Sequence, residues 1–310
     1  MTTLRVVRPG FLTTVQDGGR PRHAHLGISA SGAADSLALR LGNLAAGNDE
    51  TAAALEMTLV GGAFVFDAEA HVVLAGADFG AALAGKPVSP WQPIRVAAGV
   101  PLEFAAARSG ARGYLCVRGG IQVPKVLGSA STHLLTSLGG HRGRALASGD
   151  VLAIGPARRP ANSMHLDASW LGKLYDPAPI RITPGPQCDR FAPLAASPLV
   201  ASAYSVLEQS NRMGIRLAGA AIERTNRDDL LTEGVSLGAI QVPNDGQPII
   251  LFVEHQTTGG YPKIANVISA DMHRVGQLRP RDTVRFELVS FARAHELLFE
   301  LEAKVAELRP

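Results

Sequence analysis

Glycine and proline interrupt this chain so often that it has little room for long helices. The 310 residues include 33 glycines and 20 prolines, and the apolar runs between them are short. Glycine favours turns, and proline breaks the hydrogen-bond ladders of helices and central strands. Short apolar runs bounded by these residues are typical of β-strands. The sequence therefore predicts a mainly β protein with few helices.

The candidate strands form two groups. Those of the first group are residues 4–7, a run that begins at Leu12, and residues 63–66, 72–75, 94–96, 102–105 and 113–117. Those of the second group are residues 180–187, 204–207, 213–217, 238–243, 248–253, 264–268 and 283–288. A segment rich in proline and arginine separates the groups. This spacing, with few helices, predicts a β-barrel or a β-sandwich, and we expect two β-barrel-like halves, residues 1–158 and 159–310.

A similar turn precedes the last strand of each half. Residues 146–154 and 278–286 both contain a turn that ends in an aspartate, Asp150 or Asp282, and leads into an apolar strand. The match predicts that the same kind of corner closes both halves.

Two helices are expected. Leucines recur at helical spacing after Asp35 and Ser36, either of which can cap the helix. Near the end of the sequence, Ser290 can cap a second helix. Its apolar face is predicted to consist of Ala294, Leu297, Leu298, Leu301, Val305 and Leu308.

Two of the strands end in polar turns of the same design. One turn is Gln16-Asp-Gly-Gly-Arg20, and the other is Glu254-His-Gln-Thr-Thr-Gly-Gly-Tyr-Pro-Lys263. Each combines acidic and amide side chains with a glycine pair and a cation. Gly259-Gly260 is expected to take positive φ, which lets a ligand approach the backbone. Strand ends of this kind carry chemistry in many proteins, but the same residues also serve plain turns.

Composition excludes several classes of function. The formal net charge is only +3, aromatic residues make up 5%, and no run of lysine and arginine exceeds Arg158-Arg159, so nucleic acid is not an expected partner. The sequence has no signal-peptide core and no apolar stretch long enough for a bilayer, which predicts a cytoplasmic protein without membrane contact. Cys116 and Cys188 are too few for a disulfide framework or a metal cluster, so no metal site is expected.

Seven short motifs occur in an order that resembles a known family. They are Gln16-Asp-Gly-Gly-Arg20, Ser31-Gly-Ala-Ala-Asp35, Gly47-Asn48, Gly128-Ser-Ala-Ser-Thr132, Ser210-Asn-Arg-Met-Gly214, Gly238-Ala-Ile-Gln-Val-Pro243 and Gln256-Thr-Thr-Gly-Gly-Tyr-Pro262. With these motifs the chain is similar to the allophanate-hydrolase subunit 2 family, also called the biotin-dependent carboxyltransferase-like family or the family of 5-oxoprolinase C subunits. The similarity runs from about Arg8 to Phe286. In one departure from the family pattern, Arg281 stands where glycine is usual.

The resemblance implies two β-barrel-like halves with a cyclophilin-like fold. It also implies the C subunit of an ATP-dependent 5-oxoprolinase, a hydrolase that opens a C–N bond of the cyclic amide 5-oxoproline to give glutamate. The implied partners are a protein of the B-subunit (subunit 1) type and an A-type lactam hydrolase. ATP is the implied cofactor of this heteromeric complex.

Two alternatives follow from the same resemblance. A biotin-dependent carboxyltransferase, as in urea carboxylase and allophanate hydrolase-like proteins, would move a carboxyl group from biotin to urea. A non-catalytic member would bind and antagonise a kinase-inhibitor partner. The sequence leaves open which amide is the substrate and whether this chain itself binds ATP.

The resemblance also implies which residues form the site. The implied catalytic residues are Lys263, Gln256 and Asp17. The implied substrate-binding residues are Gln16, Arg20, Ser31, Asp35, Arg212, Gln241, Thr257, Thr258 and Tyr261. The residues of the first polar turn and those of the second are expected to line opposite walls of one cleft.

Each residue type suits the implied chemistry. Amide side chains such as Gln241 and Gln256 offer a donor and an acceptor to a lactam or urea. Lys263 can stabilise negative charge on a phosphorylated or carboxylated oxygen. Asp17 or Asp35 is the candidate general base, with helix capping as an equal alternative for Asp35.

Overall fold

A computed structural model describes residues 2–157, 166–226, 228 and 230–309 of the chain. The chain divides into two compact units. Unit 1 consists of Met1–Arg20, Ser31–Leu174 and Leu308–Pro310, and unit 2 consists of Pro21–Ala30 and Tyr175–Glu307. The predicted boundary between residues 158 and 159 lies outside the described residues.

Unit 1 contains two sheets. Its strands are β1 (Thr3–Arg8), β2 (Leu12–Gln16), β3 (Ala54–Thr58), β4 (Ala63–Phe66), β5 (Ala70–Asp78), β6 (Ala82–Leu83), β7 (Lys86–Pro87), β8 (Ile94–Val96), β9 (Leu102–Glu103), β10 (Ser109–Val117), β11 (Ile121–Gln122) and β12 (Val151–Ile154). Its helices are α1 (Ser36–Ala45) and α2 (Ala168–Leu174). The strand order is β11-β12-β1-β4-β9-β6-β7 in one sheet and β2-β3-β10-β5-β8 in the other.

Alternating side chains build the core of unit 1. In β1, Leu4 and Val6 are buried, whereas Arg5 between them is exposed, as expected for a strand with one face on a core. Leu4 joins residues of both sheets in one apolar cluster. On the five-stranded sheet, α1 packs its alanines and Leu39 against β5 and β10, where Tyr114 is buried.

Unit 2 is built around one eight-stranded sheet. Its strands are β13 (Ile180–Pro184), β14 (Tyr204–Val206), β15 (Gly214–Ala218), β16 (Glu233–Gly234), β17 (Ala239–Gln241), β18 (Ile249–Leu251), β19 (Thr258–Gly259), β20 (Lys263–Val267), β21 (Thr283–Val284) and β22 (Phe286–Leu288). Its helices are α3 (Pro198–Ala201), α4 (Met272–Gly276) and α5 (Phe291–Glu307). Strands β16 and β19 form a separate two-stranded sheet.

The eight-stranded sheet is nearly closed. Its order is β21-β14-β15-β18-β17-β20-β13-β22, so that β21 and β22 lie at opposite ends. Only Arg285 separates these two strands in the sequence. The sheet must therefore curl until its first and last strands almost meet, as in a barrel. The predicted mainly β, barrel-like architecture is confirmed.

The short segment Pro21–Ala30 belongs to unit 2 although unit 1 residues flank it in the sequence. The hydroxyl of Ser29 donates to the carbonyl of His255 at 2.7 Å. The composition of residues 21–30 does not indicate that they belong to unit 2, and the predicted boundaries place them in the first half.

The same corner turn occurs in both units, as the sequence predicts. In unit 1, the carboxylate of Asp150 accepts from the N–H of Ala147 at 2.7 Å, and in unit 2 Asp282 accepts from the N–H of Arg279 at 2.8 Å. The Asp150 carbonyl accepts from Val6 in β1 at 2.9 Å, and the Asp282 carbonyl accepts from a valine of β14 at the same distance. The strands after the two corners also pair with β1 and β14 in the same antiparallel register.

Arg281 occupies the strained position of the second corner. Its φ is 72°, and Gly149 takes φ 88° at the equivalent position of the first corner. A left-handed conformation costs a residue with a Cβ about 1–2 kcal/mol, which glycine avoids. The exposed ion pair of Arg281 with Glu208 offsets little of this cost.

We therefore expect the substitution Arg281→Gly to stabilise unit 2 by about 1 kcal/mol, which calorimetry detects as a higher melting temperature. Arg281→Ala is the matched control, because it removes the guanidinium but keeps the Cβ. An equal gain from both substitutions would show that backbone strain is not the cause.

The helix α5 begins after Ser290, whose hydroxyl accepts from the N–H of Arg293 at 3.1 Å. Its predicted apolar face is confirmed within the helix, where Val305 is buried and Ala294, Leu297, Leu298 and Leu301 are half-buried. Leu308, the sixth predicted member, lies beyond the end of the helix and belongs to unit 1. Phe291 and Phe299 are exposed. Among the described residues, no helix has both the length and the apolar character needed to cross a membrane.

Candidate functional site

In unit 1, hydrogen-bond donors surround the carboxylate of Asp17. Its Oδ1 accepts from the hydroxyls of Ser129 and Ser131, at 2.5 and 2.6 Å, and from the N–H of Gly19 at 2.8 Å. Its Oδ2 accepts from the N–H of Ala130 at 2.7 Å. Because this carboxylate is buried and both oxygens are engaged, it ties the turn after β2 to the serine-containing loop. The geometry gives Asp17 a structural role, and its role as a base stays a prediction.

Gln16 and Arg20 lie on either side of Asp17 in the sequence and are also buried. Gln16 donates through Nε2 to the carbonyl of Thr132 at 3.1 Å. Its Oε1 has no hydrogen-bond partner among the described residues. Arg20 donates through Nε to the carbonyl of Val126 at 3.4 Å and through Nη2 to that of Ser131. Backbone carbonyls thus hold the Arg20 guanidinium inside unit 1.

Ser31 and Asp35 lie at the start of α1. Asp35 is the cap of this helix, because its Oδ1 accepts from the N–H of Ala38 at 2.8 Å. Ser31 takes φ 54°, and its buried hydroxyl has no hydrogen-bond partner in the described part of the chain. A strained residue with an unsatisfied hydroxyl is a candidate ligand contact.

A buried glutamate–tyrosine pair supports this helix start and is absent from the predicted site. Glu56 accepts through Oε2 from the hydroxyl of Tyr114 at 2.7 Å and from the N–H of Ala34 at 2.8 Å. The Tyr114 oxygen in turn accepts from the N–H of Asp35 at 2.8 Å. Burial and the Glu56 charge raise the pKa of Tyr114. The available signal was a single glutamate inside the apolar run of β3, a strand that is also absent from the predicted set.

A polar cavity of about 290 Å³ lies in unit 1 near the Gly47-Asn48 motif. Asn48 is fixed in its wall, donating to the carbonyl of Val117 and accepting from the N–H of Gly119, both at 2.8 Å. Asp49 and Lys125 add one charge of each sign to the lining. The cavity therefore offers both donors and acceptors to a small polar molecule.

In unit 2, two donors converge on one carboxylate oxygen. Lys263 at the start of β20 donates through Nζ to Oε1 of Glu233, and Gln187 donates through Nε2 to the same oxygen at 2.7 Å. The Lys263 side chain is 3% exposed, whereas that of Glu233 is 45% exposed. The hydrogen bonds from Lys263 and Gln187 lower the pKa of Glu233.

Two amide side chains lie next to Lys263. Gln241 in β17 is the register partner of Lys263 across the antiparallel pair with β20. The Oε1 of Gln241 accepts from Nε2 of Gln256 at 3.3 Å, and its own Nε2 donates to the carbonyl of Tyr261 at 3.4 Å. The structure thus brings together three predicted residues, Lys263, Gln241 and Gln256.

The expectation of positive φ at Gly259-Gly260 is wrong, since neither glycine has a left-handed backbone. Gly259 lies in β19, and a Cβ on it would approach Nε2 of Gln241 to 2.7 Å. Close packing of the Gln241 amide, rather than backbone conformation, therefore favours glycine at position 259, since a larger residue would displace this amide. A Cβ on Gly260 would meet no atom closer than 3.6 Å.

The other predicted residues of unit 2 differ in their exposure. Arg212 is buried and forms an ion pair with the buried Glu254, Nε to Oε1, at 2.5 Å. Such a pair fixes the start of the polar turn, because the Glu254 N–H also donates to the Arg212 carbonyl at 2.8 Å. Thr258 and Tyr261 are exposed, and Thr257 is half-buried.

The two sets of predicted residues lie in different units: Gln16, Asp17, Arg20, Ser31 and Asp35 in unit 1, and the remainder in unit 2. The single cleft lined by both sets stays a prediction. Among the described side chains, no three from histidine, cysteine, aspartate and glutamate are grouped so as to hold a metal ion. Cys116 is buried, and desolvation raises the pKa of its thiol.

These features define a mainly β protein of two units, one of them a nearly closed barrel, each with a cluster of buried polar side chains. Residues 26–288 match the family described as carboxyltransferase domain, subdomain A and B. The chain belongs to this family, and the resemblance seen in its motifs is confirmed.

Named relatives share nearly the full length of the chain. It is 40% identical to the 5-oxoprolinase C subunit of Escherichia coli over 291 residues, 94% of this chain and 93% of that protein. It is 38% identical to the 5-oxoprolinase C subunit of Haemophilus influenzae, over 96% of this chain and 94% of that protein. The crystal structure of the K. lactis urea amidolyase matches 99% of this chain with a TM-score of 0.90 and 31% identity. The chain spans only 20% of that much longer protein.

Proposed function

We propose that this chain is the C subunit of a 5-oxoprolinase, a cytoplasmic complex that opens the lactam of 5-oxoproline to glutamate at the expense of ATP. The observation that carries the proposal is its end-to-end similarity to two bacterial proteins of this name. The urea amidolyase, in contrast, resembles this chain in only a fifth of its length. In this proposal, catalysis requires a partner of the B-subunit type and an A-type lactam hydrolase, and ATP is bound by the complex.

Lys263, Gln241 and Gln256 form the amide cluster of unit 2, and their side chains suit a lactam. The amides of Gln241 and Gln256 can offer a donor to the lactam carbonyl and an acceptor to its N–H. Lys263 contributes a positive charge from a buried position, where an anionic oxygen interacts with it more strongly than in water. We assign substrate binding and activation to this cluster.

The second candidate function is carboxyl transfer from biotin to urea. The family description and the urea amidolyase structure favour it. It requires a biotin-carrying partner in place of the lactam hydrolase. The third reading, a protein that only binds and antagonises a kinase inhibitor, requires no substrate at all.

One experiment separates the three functions. The chain is co-expressed with the products of its neighbouring genes, the complex is purified, and ATP consumption is measured with 5-oxoproline, with urea and without substrate. The proposal predicts ATP consumption and glutamate release with 5-oxoproline alone. Consumption with urea supports the carboxyltransferase. An intact complex that consumes no ATP with either substrate supports the binding protein.

The glycine pair provides a sharp test of the amide cluster. Gly259→Ala places a Cβ 2.7 Å from Nε2 of Gln241, which must move, and we expect the KM for 5-oxoproline to rise about tenfold because about one hydrogen bond to the lactam is lost. Gly260→Ala is the control, with ordinary contacts and the same change of composition. Similar kinetics in the two variants would remove Gln241 from the site.

A further inference from the structure

The contact of Glu233 with Lys263 and Gln187 has the form of an occupied anion site. Both donors point at one carboxylate oxygen, Oε1 of Glu233. A cation and an amide N–H that converge on one oxygen are a usual way to bind a carboxylate. Gln187 lies outside every motif that carries the family resemblance.

Gln187 is held in place without help from Glu233, and Lys263 is fixed at its backbone, with its side chain only 3% exposed. The Oε1 of Gln187 accepts from the N–H of Lys263 at 3.1 Å, which leaves the Gln187 Nε2 facing away from the backbone to donate elsewhere. The Gln187 N–H also donates to the Lys263 carbonyl at 3.2 Å. Gly185 permits this close approach, because a Cβ on it would overlap the backbone of Lys263. The Gln187 donor is therefore pre-organised beside the buried Lys263 side chain.

The acceptor is held much less firmly. Glu233 belongs to the two-residue strand β16, both of whose residues are exposed, and this strand pairs only with β19 among the described residues. The Glu233 side chain is 45% exposed, so its carboxylate is easily rehydrated, whereas the buried Lys263 charge requires another anion in its place. Two buried or fixed donors and an exposed acceptor suggest that another carboxylate can take the place of Glu233.

We propose that Lys263 and Gln187 bind the carboxylate of the substrate, and that Glu233 occupies this site in the free protein and leaves it when substrate binds. The inference rests on the proposed function, since 5-oxoproline is a lactam that carries a carboxylate. Gln187 thereby becomes a substrate-binding residue and Glu233 an internal competitor. An internal competitor reduces the apparent association constant of the substrate to the fraction of sites that the competitor leaves empty.

The test measures dissociation constants by titration calorimetry on the full chain in its complex, with 5-oxoproline and with the neutral lactam 2-pyrrolidinone as probes. Glu233→Gln removes the competing charge, and we expect it to tighten 5-oxoproline binding about tenfold, while Gln187→Ala weakens it about tenfold. Neither substitution should change the affinity for 2-pyrrolidinone more than about twofold. Glu223→Gln is the control, an equal charge change at an exposed glutamate of the same unit.

Several results overturn the inference. These are unchanged or weaker 5-oxoproline binding in Glu233→Gln, an equal gain in Glu223→Gln, or equal effects on both lactams. The experiments distinguish a failure of this inference from a failure of the proposed function. Binding that responds as expected in a complex without 5-oxoproline-dependent ATP consumption contradicts the proposed function alone. Normal turnover with no response to Glu233→Gln contradicts only the carboxylate site.

Discussion

Replacing Asp17 with asparagine is expected to destabilise unit 1 by about 3 kcal/mol. The two carboxylate oxygens accept four hydrogen bonds in a buried place. An asparagine oxygen can replace Oδ1, but its NH₂ group then faces the N–H of Ala130, which is also a donor. The substitution therefore leaves at least two buried donors unsatisfied, and each costs about 1–3 kcal/mol.

Tryptophan fluorescence during urea unfolding measures this loss selectively, because both tryptophans, Trp91 and Trp170, lie in unit 1. The matched control is Asp67→Asn. Both carboxylate oxygens of Asp67 accept hydrogen bonds as well, two in all and both from Thr3, but at an exposed position, so we expect a loss below about 1 kcal/mol. The alternative role, that of a general base, predicts the opposite pattern: an unfolding curve like that of the natural chain together with lost turnover.

The sequence predicts those parts of the fold that depend on local patterns. Glycine and proline mark the strand ends, and the cap at Asp35 depends on residues of the same helix. The corner turns at Asp150 and Asp282 are visible because each is a local hydrogen-bond pattern within four residues. The barrel-like form of the second half is expected from its strand spacing and from the family resemblance, but the strand order that nearly closes the sheet is not visible in the sequence.

Parts of the site depend on contacts between residues that are far apart in the sequence, and the sequence does not reveal these contacts. Gln187 and Lys263 are 76 positions apart, and Glu233 is 30 positions from Lys263. Glu233 lies in a strand of two residues, too short for any alternation of apolar and polar side chains. Glycine at position 259 is predicted for its backbone freedom, whereas in the structure it leaves space for the amide of Gln241.

Buried charges are the second kind of feature that patterns miss. Glu56 lies in a strand that is buried at every position, so a rule that places carboxylates on surfaces excludes this strand. Its partners, Tyr114 and the N–H of Ala34, come from elements far away in the sequence. A charged residue inside an apolar run is therefore better treated as a signal of a buried network than as the end of a strand.

Replacing Lys263 with methionine is expected to lower kcat/KM of the complex for 5-oxoproline about 100-fold, since the loss of a buried charged donor costs about 2–5 kcal/mol. Methionine keeps the length and apolar packing of the side chain. The half-exposed Glu233 can turn to water, so stability should change little. Thermal unfolding of the variant checks this point.

The kinetic split then decides what Lys263 does. Binding of the substrate carboxylate predicts a higher KM with kcat nearly unchanged, whereas stabilisation of charge in the transition state predicts a lower kcat. Lys304→Met is the matched control, because Lys304 is an exposed lysine of the same unit that pairs with Glu307 at 2.8 Å. If Lys263→Met and Lys304→Met turn over 5-oxoproline equally well in an intact complex, Lys263 has neither role and the unit 2 cluster is not the substrate site.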